Sequence, residues 1–242
     1  MSSLRRNVRT LAHAAVALLP SALKVPLYRT VFGFRMGRGV RIGLSMLDVD
    51  YLEMEAGARI GHGNVLTRVK EVHMGPGAQI GFLNLVRGGD AVDIGPYATV
   101  LRMNVLNSIP DAETEGPTDP RLFIGTGAYV VSGHRIDFTD RVRLGRNVLV
   151  AGRNSSLWTH NRQETQPIEI DDFCYLGSEV RIAPGARLGA ESILGMGAVL
   201  TSTAEGGKLH GGVPARPIRE LKEEERHRLH RKHRKDIPDG AV

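Results

Sequence analysis

The sequence predicts an all-β solenoid, a parallel β-helix in which three short strands make one coil and the coils stack. Three observations lead there. Every sixth residue from Ile170 is aliphatic, through Leu176, Ile182, Leu188, Leu194 and Leu200, and Gly follows at 177, 189 and 195. That spacing is neither the helical 3.6 nor the strand period of 2. Four residues after the first aliphatic of each coil stands something small: Val40, Ala58, Ala78, Ala98, Ala128, Val148, Cys174 and Ser192. A narrow triangular coil has room there for little more than a methyl or a thiol. Finally, the 242 residues hold 29 Gly and only 5% aromatics, which suits a thin core of Val, Ile, Leu and Ala.

The period can be followed backwards through most of the chain. It begins at Met36 and Ile42 and places first strands near residues 36, 54, 74, 94, 124, 144, 170 and 188. Eight coils at about 4.8 Å per rung give a prism roughly 38 Å long. Steps of 18 residues are bare coils, and steps of 20 add two corner residues. Steps of 30 and 26 carry insertions, around residues 107–121 and 157–168. The chain therefore divides into an N-terminal helical cap (1–35), the solenoid (36–204) and a C-terminal tail with a basic helix (205–242). The cap mixes Arg5, Arg6, Arg9, Lys24, Arg29 and Arg35 with Leu, Val and Phe. It suits a plug for the open end of the solenoid, which a repeat array needs. The plug is the favoured reading; the second is peripheral contact with an anionic membrane surface, and the two are compatible.

Composition narrows the field further. One cysteine excludes an internal disulfide, and its place in the small-residue column predicts a buried, inert thiol. The apolar run Leu11–Leu19 is too short to span a bilayer, and no cleavage signal follows it clearly. The expectation is a cytoplasmic protein, with the inner membrane face as a place it could dock. The net charge of +6 and the basic stretch Arg219–Lys235 raise nucleic acid as a partner. No nucleic-acid fold signature or interleaved aromatics accompany them, so a solvated helix is expected and nucleic acid is not.

Chemistry is expected where the period breaks. In the second strands, Asn64, Asn84, Asn104, His134 and Asn154 form a column whose amides can bond from rung to rung. His134 interrupts it. The second break opens with Leu157-Trp158-Thr159-His160-Asn161, so His160 stands at the mouth of an insertion beside a solenoid face. Insertions on one face of a repeat protein are commonly its working side.

With these motifs in view, the chain resembles the hexapeptide acyltransferases, and among them the sugar and polysaccharide O-acetyltransferases. The resemblance covers residues 36–219. It rests on Thr159-His160-Asn161 before the loop, on the repeat core from Ile168 to Val199, and on Gly211-Gly212-Val213-Pro214-Ala215-Arg216-Pro217-Ile218-Arg219. It implies the left-handed sense of the helix, an acetyl-CoA donor, no metal, a carbohydrate acceptor, and a homotrimer with active sites between subunits. It also makes His160 the general base. A sugar hydroxyl must lose its proton as it attacks the thioester, and neutral imidazole suits that task. Asp140, one coil earlier, is a candidate partner for His160, although a local turn role explains it equally. His134 and Asp137 on the adjacent coil, with Trp158, Asn161 and Tyr175, are candidates for the acceptor site. For the donor, the resemblance implies Ser178, Met196 and Gly197 along the pantetheine arm, Thr201 and Ser202 near the adenosine, and Arg216 and Arg219 on the phosphates.

Other readings remain. N-acylation of an amino nucleotide sugar would use the same base. A γ-type carbonic anhydrase shares such a solenoid but needs three His, two close in sequence, and His62, His73, His134 and His160 are not so placed. A non-catalytic scaffold would not need the Thr-His-Asn loop. The acidic insertion 107–121 (Asp111, Glu113, Glu115, Asp119) is expected either to select the acceptor or to be a solvated excursion.

Overall fold

The computed structural model describes residues 3–109 and 117–241. It is a left-handed parallel β-helix with three sheets, of eight, ten and eight strands. First strands end at Met36, Met54, Met74, Ile94, Ile124, Leu144, Ile170 and Leu188, the positions that the aliphatic period marks. Each strand pairs in parallel with its equivalent one coil away, as in Met54 with Met74 and Ile94 with Ile124. The aliphatic residues point inward and are buried, and so is the whole small-residue column, from Val40 to Ser192. Coils approach so closely at the corners that a Cβ on Gly81 would overlap the Leu101 carbonyl oxygen. Only glycine fits there.

Cys174 sits in that column at 1% exposure. Its thiol lies 3.2 Å from the Gly189 carbonyl oxygen, and burial pushes its pKa up to about 12. The thiolate that a nucleophile needs is suppressed.

The polar column of the second corner differs from the sequence reading at one place. It runs Ser45, Asn64, Asn84, Asn104, His134 and Ser155, not Asn154. Each Asn side chain donates to the amide oxygen or hydroxyl before it, at 3.0–3.2 Å, and the backbone N–H of His134 donates to the Asn104 oxygen at 2.9 Å. Ser155 N–H then donates to His134 Nδ1 at 3.2 Å. The slip arises because Val150 and Leu157, both inward, are seven residues apart, where the coils on either side of it have six, as in Val130 to Ile136 and Leu176 to Ile182. The extra residue turns the corner with Gly152 and Asn154 both at positive φ, which leaves Asn154 exposed.

Two helices, α1 (Ser3–Ala17) and α2 (Ser21–Thr30), lie against the first coil. Its backbone has no preceding coil to bond to, and the helices supply partners. Ser21 Oγ accepts the Ile42 N–H at 3.0 Å, while Lys24 Nζ donates to the carbonyls of Ala17 and Gly43. Lys24 is fully buried. The uncompensated ammonium is costly to bury, so its pKa is lowered.

The tail corrects the expectation of a solvated basic helix. Residues Lys208–Gly211 and Arg216–Glu220 form an antiparallel hairpin that extends the second sheet. The helix α3 covers only Glu223–Leu229. Beyond it, the chain runs back along the corner between the first and second sheets as a strap. Asn147 Nδ2 donates to the carbonyls of Leu229 and Arg231 at 2.8 and 3.0 Å. His230 stacks on Phe173 at 3.9 Å. Arg234 reaches the carbonyls of Gly77 and Tyr97 and the hydroxyl of Thr99 at 3.0–3.2 Å. Ile237 is buried at its end.

Candidate active site

Residue 160 follows a third strand, Ser156–Trp158, at the corner between the third and first sheets. The loop after it closes on itself. Gln166 N–H donates to the Thr159 carbonyl at 2.8 Å, and Asn161 N–H to Glu164 at 2.9 Å. The Asn161 side-chain oxygen accepts the N–H groups of Gln163 and Glu164 at 2.7 and 3.0 Å. Asn161, expected at the acceptor, thus uses its carbonyl to shape the loop. Gly185, at the same corner one coil on, makes room for the Gln166 side chain.

The loop holds His160 with 19% of its side chain exposed, and Nδ1 lies in short hydrogen-bond contact with Asp137 Oδ2. Asp137 is 1% exposed. It is the last residue of the third strand one coil earlier and pairs in register with Trp158. Its other oxygen accepts both the N–H and the hydroxyl of Thr139, at 3.0 and 2.7 Å. Thr159 Oγ1 lies 3.4 Å from Oδ2. Every lone-pair direction of this buried carboxylate is used, so it cannot rotate away from the imidazole.

Asp140 is therefore not the partner of His160. Its Oδ1 accepts the backbone N–H groups of Asp119 and Arg141, at 3.2 and 2.7 Å, which is the local turn role. A reach of three residues, not stacking at equal register, decides between them. His160 leans back over the end of the preceding strand.

His134 is also placed differently. It is 1% exposed inside the polar column, and burial lowers its pKa to about 4. It is a neutral structural histidine that cannot touch an acceptor.

Six of the remaining candidates, Trp158, Thr201, Ser202, Ser178, Met196 and Gly197, lie on the third sheet or at its corners. Trp158 lies on its outer face, with the Arg135 guanidinium 5.8 Å from the ring centre. Thr201 and Ser202 follow the strand Val199–Leu200 at the corner that His160 occupies. Ser178, Met196 and Gly197 turn the opposite corner, where Met196 is 78% exposed and Gly197 has φ 72°. Tyr175 stands on the second sheet between Leu149 and Ile193, one face away. In the hairpin, Arg219 is engaged by Glu225 through two 2.7 Å contacts, so its fork is not free for a phosphate. Arg216 is exposed, with no carboxylate partner among the described residues.

One element escaped the sequence reading. A hollow of about 300 Å³, lined by Arg68, Lys70, Gly89, Ser108, Ile109 and Thr139 among others, adjoins the dyad through Thr139. Two consecutive glycines at positive φ, Gly88 and Gly89, open it and were its signal in the sequence. The insertion 107–121 borders it. Residues 110–116 lie outside the described residues, and Asp119 is tied to Arg121. No cluster of His, Cys, Asp and Glu among the described residues could hold a metal ion.

No protein-family model matches the chain. Among curated proteins it is similar to the 2,3,4,5-tetrahydropyridine-2,6-dicarboxylate N-succinyltransferase of Wolbachia sp. subsp. Brugia malayi, at 29% identity over 87 residues, 34% of this chain and 32% of that one. The chain thus matches about a third of that relative's length. Among solved structures it is similar to the polySia-specific acetyltransferase NeuO, with 14% identity, 77% and 81% of the two chains covered and a TM-score of 0.47. It is also similar to a hexapeptide-repeat-containing acetyltransferase from Vibrio cholerae, with 18% identity, 92% and 96% covered and a TM-score of 0.36. At these values the solved structures add nothing to the fold beyond what the strand ladders establish. The chain resembles hexapeptide-repeat acyltransferases, and what it does has to be read from its own side chains.

Proposed function

We propose that the protein is an acyltransferase that moves an acetyl group from acetyl-CoA to a hydroxyl of a sugar or polysaccharide, directly and without a covalent enzyme intermediate. The observation that carries this is the His160–Asp137 dyad, held at the mouth of the break in the solenoid. Asp137 accepts from Nδ1–H and so fixes the tautomer that leaves Nε2 with its lone pair. Nε2 takes the proton of the acceptor hydroxyl as its oxygen attacks the thioester carbon. The C–S bond then breaks, and the imidazolium returns that proton to the departing thiolate. Asp137 stabilises the cation in between. Cys174, buried and held as the thiol, takes no part.

The donor is assigned to the groove along the third sheet, with Ser178, Met196 and Gly197 at one edge, Thr201 and Ser202 at the other, and Arg216 near the phosphates. The hollow beside Thr139 is assigned to the acceptor. These groups flank one open face, which a neighbouring subunit of a homotrimer would close.

The test is thiol release from acetyl-CoA with a panel of mono- and oligosaccharides that includes amino sugars. His160→Ala should lower transfer by about 10²–10⁴-fold. Asp137→Asn should lower it with little change in acceptor KM, because the tautomer is lost and the pocket is not. Near-full activity in His160→Ala would remove the assignment. A product acetylated on nitrogen would change the acceptor and leave the base in place.

A further inference from the structure

Among the described residues, nothing covers the outer face of the N-terminal cap. Side chains that would sit in a core stand in solvent there: Val8 is 60% exposed, Leu11 69%, Leu18 76%, Leu23 60% and Val31 66%. They lie on α1, on α2 and on the joints after each helix, at one end of the prism. Between Thr10 and Val31 the sequence contains no Asp or Glu. The one lysine in that span, Lys24, is turned inward to bond the first coil.

Cation surrounds this face. Arg29, Arg38 and Arg41 are exposed on α2 and the first coil, and none has a carboxylate within ion-pair distance among the described residues. Most of the nearby acids are engaged: Asp48 and Asp50 contact Arg9, and Glu53 contacts Arg35; Glu55, exposed on the same side as Arg29, is the exception. Helices without acid, with exposed apolar side chains and a rim of arginine that no carboxylate neutralises, have the make-up of an interfacial membrane anchor, and Arg29 is held only by the Met36 carbonyl.

We propose that this cap face docks on an anionic lipid bilayer, with the apolar side chains among the acyl chains and the arginines at the headgroups. No described helix is long and apolar enough to cross a membrane, so the contact is peripheral. A second copy of the chain is the competing occupant. End-to-end pairing would set the face against itself and bring the two arginine rims together, and like charges in contact oppose association. An anionic surface complements the same rim. This inference does not depend on the acyltransferase reading.

The experiment uses the full chain and sedimentation with sucrose-loaded vesicles. One set is phosphatidylcholine with a quarter phosphatidylglycerol, and the other is phosphatidylcholine alone. The parent should pellet with the anionic vesicles, pellet far less with the neutral ones, and be released by salt. Leu11→Glu with Leu23→Glu should lower the partition at least tenfold. Both positions are exposed, and circular dichroism should stay unchanged. Arg38→Glu is a second, independent variant that should weaken anionic binding alone. Failure of the parent to pellet with anionic vesicles overturns the proposal. So does equal binding by the Leu variants. A parent with twice the mass of the Leu variants, and no vesicle binding, would assign the face to a second copy.

Discussion

At the scale of single residues, His134 gives the sharpest consequence. It fills a column that asparagine occupies in three earlier coils, and burial lowers its pKa from the ordinary 6.5 to about 4. The folded state then binds fewer protons than the unfolded one between those values. Its stabilising effect is complete above about pH 6.5, falls as the pH drops toward 4, and amounts to about 3 kcal/mol over that window. His134→Asn should restore the amide column and remove most of this acid sensitivity, as measured by urea unfolding at pH 7 and pH 5. An unchanged pH dependence would mean that other groups carry it. The sequence showed that His134 broke the column, but not that it stayed inside it. A histidine ring and a carboxamide can both accept a neighbour's N–H, and only the burial distinguishes a structural column member from a ligand-facing one. Asp137 and Asp140 posed the converse problem. Both lie within reach of the loop in sequence, and the choice turned on how far the His160 side chain folds back.

At the scale of elements, strands and corners were legible and the tail was not. Aliphatic residues every six positions fix which side chains enter the core. A seven-residue corner slips that phase for one strand only, so Ser155 replaced Asn154 without disturbing the rest. The tail carries no such period. Its charge pattern fits a helix, but beyond Leu229 its polar groups find better partners on the solenoid: Asn147, Tyr97 and Thr99 for the strap, and a burial site for Ile237. Removing residues 230–242 should cost about 3 kcal/mol, from one fully buried aliphatic side chain and a few net hydrogen bonds. The melting temperature should fall by several degrees, while the His160 corner, on another edge of the prism, keeps its activity per folded molecule. Calorimetry of the truncated chain checks the first, and transfer assays check the second. A truncation with unchanged melting would mean that the strap merely rests on the surface.

For the whole molecule, the open third face is what matters. His160 stands at one edge and Met196 at the other, with Trp158 and Arg135 between them, and no part of the same chain covers them among the described residues. A trimer with these faces turned toward neighbours is the expected state, and sedimentation equilibrium at micromolar concentration should give three times the 26.4 kDa chain mass. A monomer that is fully active would show that one face suffices.

The strap also changes how such a molecule can come apart. A stack in which each coil touches only its neighbours opens from its ends, one rung at a time. Here the segment after α3 is anchored near the last coil and again at Gly77, Tyr97 and Thr99, in the third and fourth. It acts as a tie-rod along the prism. Opening the far end while it is seated would strain contacts many rungs away, so those coils should share one level of hydrogen-exchange protection and not a gradient. The first two coils lie beyond the rod's last hydrogen-bonded anchor and lean on the helical cap instead. They form the part of the barrel free to breathe on its own.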